Sequence, residues 1–490
     1  MIENMNKKVG RATAWSSLTE IMARLVSPIV NIVLARLLLP EAFGLVATIT
    51  MVITFAEVFT DAGFQKYIVQ HEFKDEDELN NSTNVAFWTN MGVSVFACFI
   101  IFVFRDKIAA LVGNPKLGMS ISVASLLILL NAFSSIQMAR YKRDFDFKTL
   151  FFVRIGTSLI PLFVTIPLAV LLRNYWALLI GNFTSQTFNA VVLTVKSKWK
   201  IKFHYEFSLF KQMFSFSVWT LLESISIWLT ANIDIFLVSK FFNEYYLGLY
   251  RTSMTTVNSY MGIVTAALIP VLFSTLSRHQ NSDVEFKSTY YTFQRLTAVF
   301  VVPMGIGIFV FRDLVTMILL GENWMEASGF IGWWGITSAF TIIFSHFSSE
   351  VIRSKGKPVI SLIIQITHIM ILIPVLIMFG NSGFESLYIA RSLLRIEIIL
   401  ASIMVLCVIF KFNIIKIFTN TLPSVFAALI MGLFGYFVRS LLDNAIWDFA
   451  TIFMCIIIYF VVLLGCFRGL RREILETRYA QKILSIIKRR

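Results

Sequence analysis

The sequence is short of charge. Aspartate, glutamate, lysine and arginine make up 15% of its 490 residues, where soluble domains carry about 25%. Hydrophobic residues make up 57%, and the mean hydropathy is +0.75. A soluble chain of this make-up has more apolar area than its interior can hold, so most of that area must face lipid, which excludes a soluble enzyme. Cysteine is scarce. Cys98, Cys407, Cys455 and Cys466 are scattered in or beside apolar runs and form no CxxC pair, so neither a disulfide framework nor a zinc site follows. No GxxxxGKS/T phosphate loop occurs, which excludes ATP hydrolysis by that route. No connection between apolar runs is long enough for a soluble catalytic domain.

What is present is a succession of apolar runs. A bilayer core about 30 Å thick takes about 20 residues of helix. The runs predict an all-α polytopic membrane protein with fourteen spans, near 13–36, 42–63, 85–104, 118–138, 150–172, 176–195, 213–238, 248–272, 291–311, 327–350, 359–379, 386–408, 421–441 and 448–467. Lys7 and Lys8 precede the first run as in a signal peptide, but that run is too long and lacks a clear small-residue cleavage site. The reading is an uncleaved first helix.

The net charge of +14 comes from 43 Lys and Arg against 29 Asp and Glu. The basic residues sit in short loops, so their partner is an anionic membrane face and not nucleic acid. Alternate loops carry thirty and eight of them, and the richer set includes Arg140, Lys142, Arg143 and the Lys196–Lys211 stretch. That bias predicts both termini in the cytoplasm, an even number of spans and insertion in the cytoplasmic (inner) membrane.

Shifting the sequence by 204 residues aligns Trp15 with Trp219, Leu18 with Leu222, Arg36 with Lys240, Gly44 with Gly248 and Leu45 with Leu249. Spans one and two thus correspond to spans seven and eight, and with six spans between the copies both halves enter the membrane in the same direction. The expected organisation is two pseudo-symmetric six-helix lobes, 1–200 and 201–410, followed by 411–490 with two extra spans and a basic tail.

An ionisable side chain at bilayer depth costs about 2.5–3.5 kcal/mol on insertion scales and therefore tends to face a cavity. Glu20, Arg24 and Asn31 fall in span one, Glu57 and Asp61 in span two, Glu223, Asn232 and Asp234 in span seven, and Arg251 and Asn258 in span eight. Arg391, Arg395 and Glu397 share span twelve, while Arg154, His346, Glu350 and His368 stand more isolated. Each has a structural alternative. Glu20 and Arg24, at i and i+4, can neutralise each other; Asp61, Asp234 and Glu350 lie near span ends, where capping or snorkelling explains them. The two histidines lack the acid or thiol cluster of a metal site. Arg251 has no acid within four positions. Arginine suits a diphosphate, since its planar fork donates paired hydrogen bonds and stays charged. The substrate-cavity candidates are accordingly Arg24, Arg251, Arg391, Arg395, Asn31, Asn232 and Asn258, and the ion-coupling candidates are Glu20, Glu57, Asp61, Glu223 and Asp234.

The run from Arg36 through Pro40 to Gly44, Asp61-Ala62-Gly63 followed by Ile68-Val69-Gln70, Asn232-Ile233-Asp234, Leu247-Gly248-Leu249-Tyr250, Gly321-Glu322-Asn323-Trp324 and Lys355-Gly356-Lys357-Pro358 together resemble the polysaccharide transporter branch of the multidrug/oligosaccharidyl-lipid/polysaccharide flippase superfamily. The likeness spans most of the chain and fades after about residue 410. It implies a V-shaped, MATE-like bundle that rocks between inward-open and outward-open states. It implies a cavity lined by spans one, two, seven and eight, and carriage of undecaprenyl-diphosphate-linked oligosaccharide repeat units for O-antigen, capsule, exopolysaccharide or teichuronic acid assembly. No cofactor or metal is implied; a polysaccharide polymerase or export machinery is a candidate partner. The rival readings are a multidrug antiporter of the same superfamily, which would favour an acidic, aromatic cavity, a membrane-embedded glycan polymerase or ligase, and a scaffold without transport.

Overall fold

The computed structural model describes residues 2–61, 63–441 and 445–466, excepting the side chains of 2–14, Ser17, Glu20, Ile21, Arg24, Leu25, Asp61, 215–219, Ala267, Pro358, Ala445 and Cys466. Among the described residues there is no strand. Eleven helices are long and apolar enough to cross a membrane, or twelve if the bent helix Glu244–Arg278 counts as one span. Two further helical stretches stand where the sequence predicts spans one and twelve. In the first, Val26–Leu37 is an apolar helical segment, and the second is broken at Leu394.

The chain divides into two compact units. Unit 1 comprises Met1–Ser259 and Ile369–Leu387; unit 2 comprises Tyr260–His368 and Tyr388–Arg490. The first eleven helices are α1 (Ile2–Leu37), α2 (Pro40–Asp61), α3 (Phe64–Gln70), α4 (Glu76–Leu111), α5 (Gly118–Ala124), α6 (Leu126–Arg143), α7 (Phe147–Ile160), α8 (Ile166–Leu172), α9 (Trp176–Lys196), α10 (Phe207–Phe241) and α11 (Glu244–Arg278). They are followed by α12 (Asp283–Val310), α13 (Arg312–Leu319), α14 (Ser328–Thr341), α15 (Phe347–Ser354), α16 (Pro358–Gly380), α17 (Phe384–Leu393), α18 (Arg395–Val408), α19 (Ile414–Leu441) and α20 (Ala445–Cys466). The unit boundaries fall inside α11, α16 and α17.

Why these runs form helices follows from the solvent they meet. In lipid every backbone polar group must be satisfied within its own segment, which a helix does and a lone strand cannot. Serine and threonine obey the same demand: Thr48 Oγ1 donates to the Gly44 carbonyl, Thr83 to Leu79 and Ser226 to Leu222. Where helices begin in water, polar caps do the work. Asp75 accepts from the Glu78 amide and Glu78 accepts in turn from the Lys74 amide, while Asp146 accepts from the Thr149 amide.

In unit 1, α1 packs on α7, α7 on α9, α9 on α6, and α6 on α4; α2 lies against α4, α6 and α10. Gly44 on α2 and Gly248 on α11 permit the closest approach. A Cβ on Gly44 would stand 1.9 Å from the Glu244 carbonyl oxygen, and one on Gly248 would stand 1.9 Å from that of Pro40. Both pairs are related by the same 204-residue shift, so equivalent residues meet reciprocally, as they do at a two-fold contact. At the α2–α3 corner Gly63 has φ +81°, and a Cβ there would strike the Thr220 hydroxyl at 1.7 Å, so no other residue fits.

Unit 2 is built on α12, which packs against α14 and α19, with α20 behind α19 and α18 against α14. Phe286, Tyr290, Phe347, Leu406 and Tyr459 belong to one cluster of buried aromatic and aliphatic residues there. In unit 1, Phe64, Phe87 and Trp199 belong to one buried cluster, and Val30, Leu34 and Ala177 to another. Polar side chains occupy the space between them.

Candidate functional site

The polar space in unit 1 is a chamber with two joined parts. One part, about 550 Å³, lies among α1, α6, α7 and α9; the other, about 470 Å³, lies among α2, α3, α4, α6, α9 and α10. Met138, Arg154, Gln186 and Asn189 line both, so the two adjoin and Arg154 stands where they meet. The lining follows from helical spacing. Asn182, Ser185, Gln186 and Asn189 on α9 fall at i, i+3, i+4 and i+7, and Arg154, Thr157 and Ser158 on α7 at i, i+3 and i+4. Each set forms one stripe on an otherwise apolar helix. Directly after the α7 stripe the chain makes a π-helical turn, Pro161–Thr165, a geometry frequent at functional sites.

The hydroxyls of Thr19, Ser27, Thr157 and Ser158 donate to carbonyls of their own helices, leaving their oxygens as acceptors. Asn31, Asn182, Gln186 and Asn189 make no hydrogen bond to another described residue. Arg154 is exposed to the chamber, and among the described residues its guanidinium has no ion-pair partner. Lys142 adds a second cation to the lining. In the other part, Glu57 accepts from the Asn131 amide, and the Asn90 amide donates to Ser135 Oγ at 2.8 Å. The chamber therefore combines unsatisfied amides, acceptor hydroxyls and a fixed positive charge inside membrane-length helices. Such a set has the donors, acceptors and charge that a polyhydroxylated, anionic group would need.

Of the residues singled out from the sequence, Asn31 and Glu57 line this chamber. The side chains of Glu20, Arg24 and Asp61 lie outside the described residues. Glu223 is exposed and paired with Lys66 at 2.7 Å. Asp234 is buried and accepts from the Ile235 amide at 2.8 Å and from the Tyr250 hydroxyl at 3.0 Å. Asn232 donates to the Trp228 carbonyl of its own helix at 3.0 Å. Arg251 is half-buried, and Asn258 is exposed.

Arg391 and Arg395 belong to a different cluster, in unit 2. Both guanidinium groups lie over the Trp334 indole, at 5.2 and 3.9 Å from its centroid, and Arg395 also donates to Ser338 Oγ. His368 Nδ1 meets Glu397 Oε2 at 2.8 Å. A π-helical turn, Ile342–His346, lies beside this cluster, and there Ser402 donates to Ser345 Oγ.

Arg154 is the residue that counting charges along the sequence underrates, because it is alone in its span. The signal that could have found it is the uncharged stripe on the neighbouring helix, Asn182 to Asn189.

Comparison with known proteins agrees with this architecture. Among solved structures, the lipid II flippase MurJ in an inward-closed conformation superposes with a TM-score of 0.78 at 14% identity, covering 94% of this chain and 99% of that one. An inward-facing multidrug resistance MATE family transporter of the MOP superfamily gives 0.58 at 13% identity, over 83% and 96%. The fold is thus the one these transporters share. By sequence, an uncharacterized membrane protein in the cps region of Klebsiella pneumoniae is 20% identical over 446 residues, 88% of this chain and 90% of its own length. The succinoglycan biosynthesis transport protein ExoT of Rhizobium meliloti is 23% identical over 327 residues, 66% of this chain and 65% of its own length. The teichuronic acid biosynthesis protein TuaB of Bacillus subtilis is 20% identical over 357 residues, 72% and 73%. A family model described as polysaccharide biosynthesis protein matches residues 33–329, more than half of the chain, and the chain belongs to that family.

Proposed function

We propose that the protein is a flippase that carries lipid-linked oligosaccharide repeat units, joined through a diphosphate to a polyisoprenyl tail, across the cytoplasmic membrane for cell-surface polysaccharide assembly. The observation that carries this reading is the chamber: a polar space within helices that are otherwise fit for lipid, with Arg154 at its centre. A sugar and its diphosphate cannot cross hydrocarbon, whereas the tail can stay in it. The amides of Asn182, Gln186 and Asn189 suit sugar hydroxyls, and Arg154 suits a phosphate or an acidic sugar. The names of ExoT, TuaB and MurJ point the same way.

The two lobes, 1–200 and 201–410, then exchange access between the leaflets, with both termini in the cytoplasm, and the spans within 411–490 are an addition to that pair. Arg24 and Arg251 remain candidates for the diphosphate, with Arg391, Arg395, Asn31, Asn232 and Asn258 as further head-group contacts. Glu20, Glu57, Asp61, Glu223 and Asp234 remain candidates for ion coupling. The chain acts as a carrier and not as a glycan polymerase, and a polymerase receives its product. A multidrug antiporter would favour acid in its cavity, and Glu57 is the one acid among the chamber's described lining residues.

The test is to remove the protein and locate lipid-linked saccharide. Accumulation on the cytoplasmic leaflet is expected, restored by the wild-type chain and not by Arg154→Ala at equal protein level. Unlinked repeat units on the outer leaflet would mark a polymerase instead.

A further inference from the structure

Helix α2 has two faces of opposite character. Thr54, Glu57 and Thr60 line the chamber, while Met51, Val52, Phe55, Ala56 and Phe59 line a second cavity on the other side, a groove of about 730 Å³ shared with α4 and α10. Apart from the indole N–H of Trp228, the side chains lining that groove are apolar. On α4 its lining runs from Val93 to Val112, about 28 Å at the helical rise, or nearly the depth of a bilayer core. On α10, Ser224 faces the chamber and Trp228, one turn on, faces the groove. Between the two spaces, the Trp228 indole packs on Phe55 with centroids 4.7 Å apart, and its Nε1 donates to Thr54 Oγ1 at 3.1 Å. That bond fills the only polar valence of the groove wall.

We propose that this groove holds the polyisoprenyl tail of the same lipid whose head group enters the chamber, and that the α2–α10 seam beside Trp228 is the slit through which the link between head and tail passes. The proposal rests on the flippase reading and adds to it the place of the tail. A head group in the chamber leaves its tail only a short diphosphate link in which to reach lipid, and at the seam α2 and α10 each line both spaces. A groove nearly as long as the bilayer is deep lets the tail keep its apolar contacts while the head changes leaflet. Unit 2 supplies the contrast. It has an apolar groove of similar size, about 700 Å³, lined by Phe300, Pro303 and Phe460 among others. That groove is backed by Phe311, Met431 and Tyr459 of the buried cluster, so its inner wall is apolar core and not a polar chamber.

The experiment uses the full chain in nanodiscs with two probes, a polyisoprenyl diphosphate carrying a diazirine in its tail and a phosphatidylglycerol carrying one in its acyl chain. Irradiation is expected to place the isoprenoid label around Phe55, Phe96 and Ile100. Ala97→Trp, which fills the groove, lowers that labelling about tenfold, and Trp228→Phe, which keeps a ring but removes the N–H, speeds its onset several-fold. Isoprenoid label spread equally onto the unit 2 groove overturns the proposal. So does a phosphatidylglycerol label at Phe96 that unlabelled polyisoprenyl diphosphate fails to displace. An unchanged onset in Trp228→Phe overturns the slit. Transfer of lipid-linked saccharide across vesicles is measured in parallel: transfer intact with label elsewhere sinks the groove alone, and groove labelling without transfer sinks the flippase reading alone.

Discussion

Arginine lies within the spans of both units, and the two units treat it in opposite ways. In unit 1 Arg154 faces an open chamber and has no described carboxylate beside it. In unit 2 Arg391 and Arg395 are stacked on Trp334, Arg395 is bonded to Ser338, and Glu397 with His368 completes a compact set. A charge in the membrane must be solvated by water, by a ligand or by protein. Unit 2 gives its arginines protein partners, so a head group reaching them has to compete with Trp334 and Ser338. Unit 1 leaves Arg154 to water or to a ligand, which is what a binding residue requires.

The comparison can be broken most forcefully in unit 2. Glu397→Gln leaves His368, buried Arg391 and half-buried Arg395 without the acid of their cluster, a change that costs about 3 kcal/mol. Thermal melting in nanodiscs should fall clearly while transport per folded molecule holds, and a transport loss without a melting shift would move the functional charge into unit 2. Next in size is Arg154→Ala. Losing a charge-assisted hydrogen bond of about 1.5–3 kcal/mol lowers transfer roughly ten- to a hundredfold. Melting should stay within about 0.5 kcal/mol, since the residue is exposed to the chamber. Arg154→Lys should fall between, keeping charge but losing the fork.

Asn189→Leu sharpens the contrast at a smaller scale. It removes one amide common to both parts of the chamber, worth about 1 kcal/mol, and should slow a saccharide-bearing lipid several-fold while leaving a bare polyisoprenyl diphosphate unaffected. The smallest effect is a pH dependence. Burial pushes the Asp313 carboxyl up, but hydrogen bonds from Arg439 and Ser328 and the charges of Arg439 and Arg312 bring it below the ordinary aspartate value. Its Oδ2 lies 2.7 Å from Arg439 Nη2. A depressed carboxyl contributes stability that is fully present above the unfolded value, about 3.9, and is lost as pH falls through the lower folded value. Asp313→Asn should flatten that part of the melting-against-pH curve, by about 0.5 kcal/mol or less because the pair is partly exposed.

Much of the fold is legible without coordinates. The apolar runs locate the membrane helices because lipid enforces helix wherever backbone crosses it. Even so, α17 and α18 are separate helices where the sequence predicts one span, since hydropathy does not register a break at Leu394. The 204-residue repeat finds a physical counterpart in the reciprocal approach of Gly44 and Gly248, a contact that side-chain size alone makes readable. The site is less legible. Asn31 and Glu57 stand out by span and do line the chamber, but Asp234 stands out equally and is a buried partner of Tyr250. Hydropathy weighs a charge by its depth and cannot see which neighbour meets it.

The sequence by itself therefore determines that this chain lives in a bilayer, roughly how many times it crosses, and which family it belongs to, because all three depend on apolar length and on the order of motifs. Only the tertiary structure decides which buried polar groups are free to act. Arg154, Asn182, Gln186 and Asn189 come from two helices and become one lining when α7 packs on α9, whereas Arg391 and Arg395 acquire protein partners when the fold sets Trp334 and Ser338 against them. The physical reason is that the cost of a charge in the membrane depends on what lies within a few ångströms of it, and that neighbourhood is assembled by residues far apart in the chain.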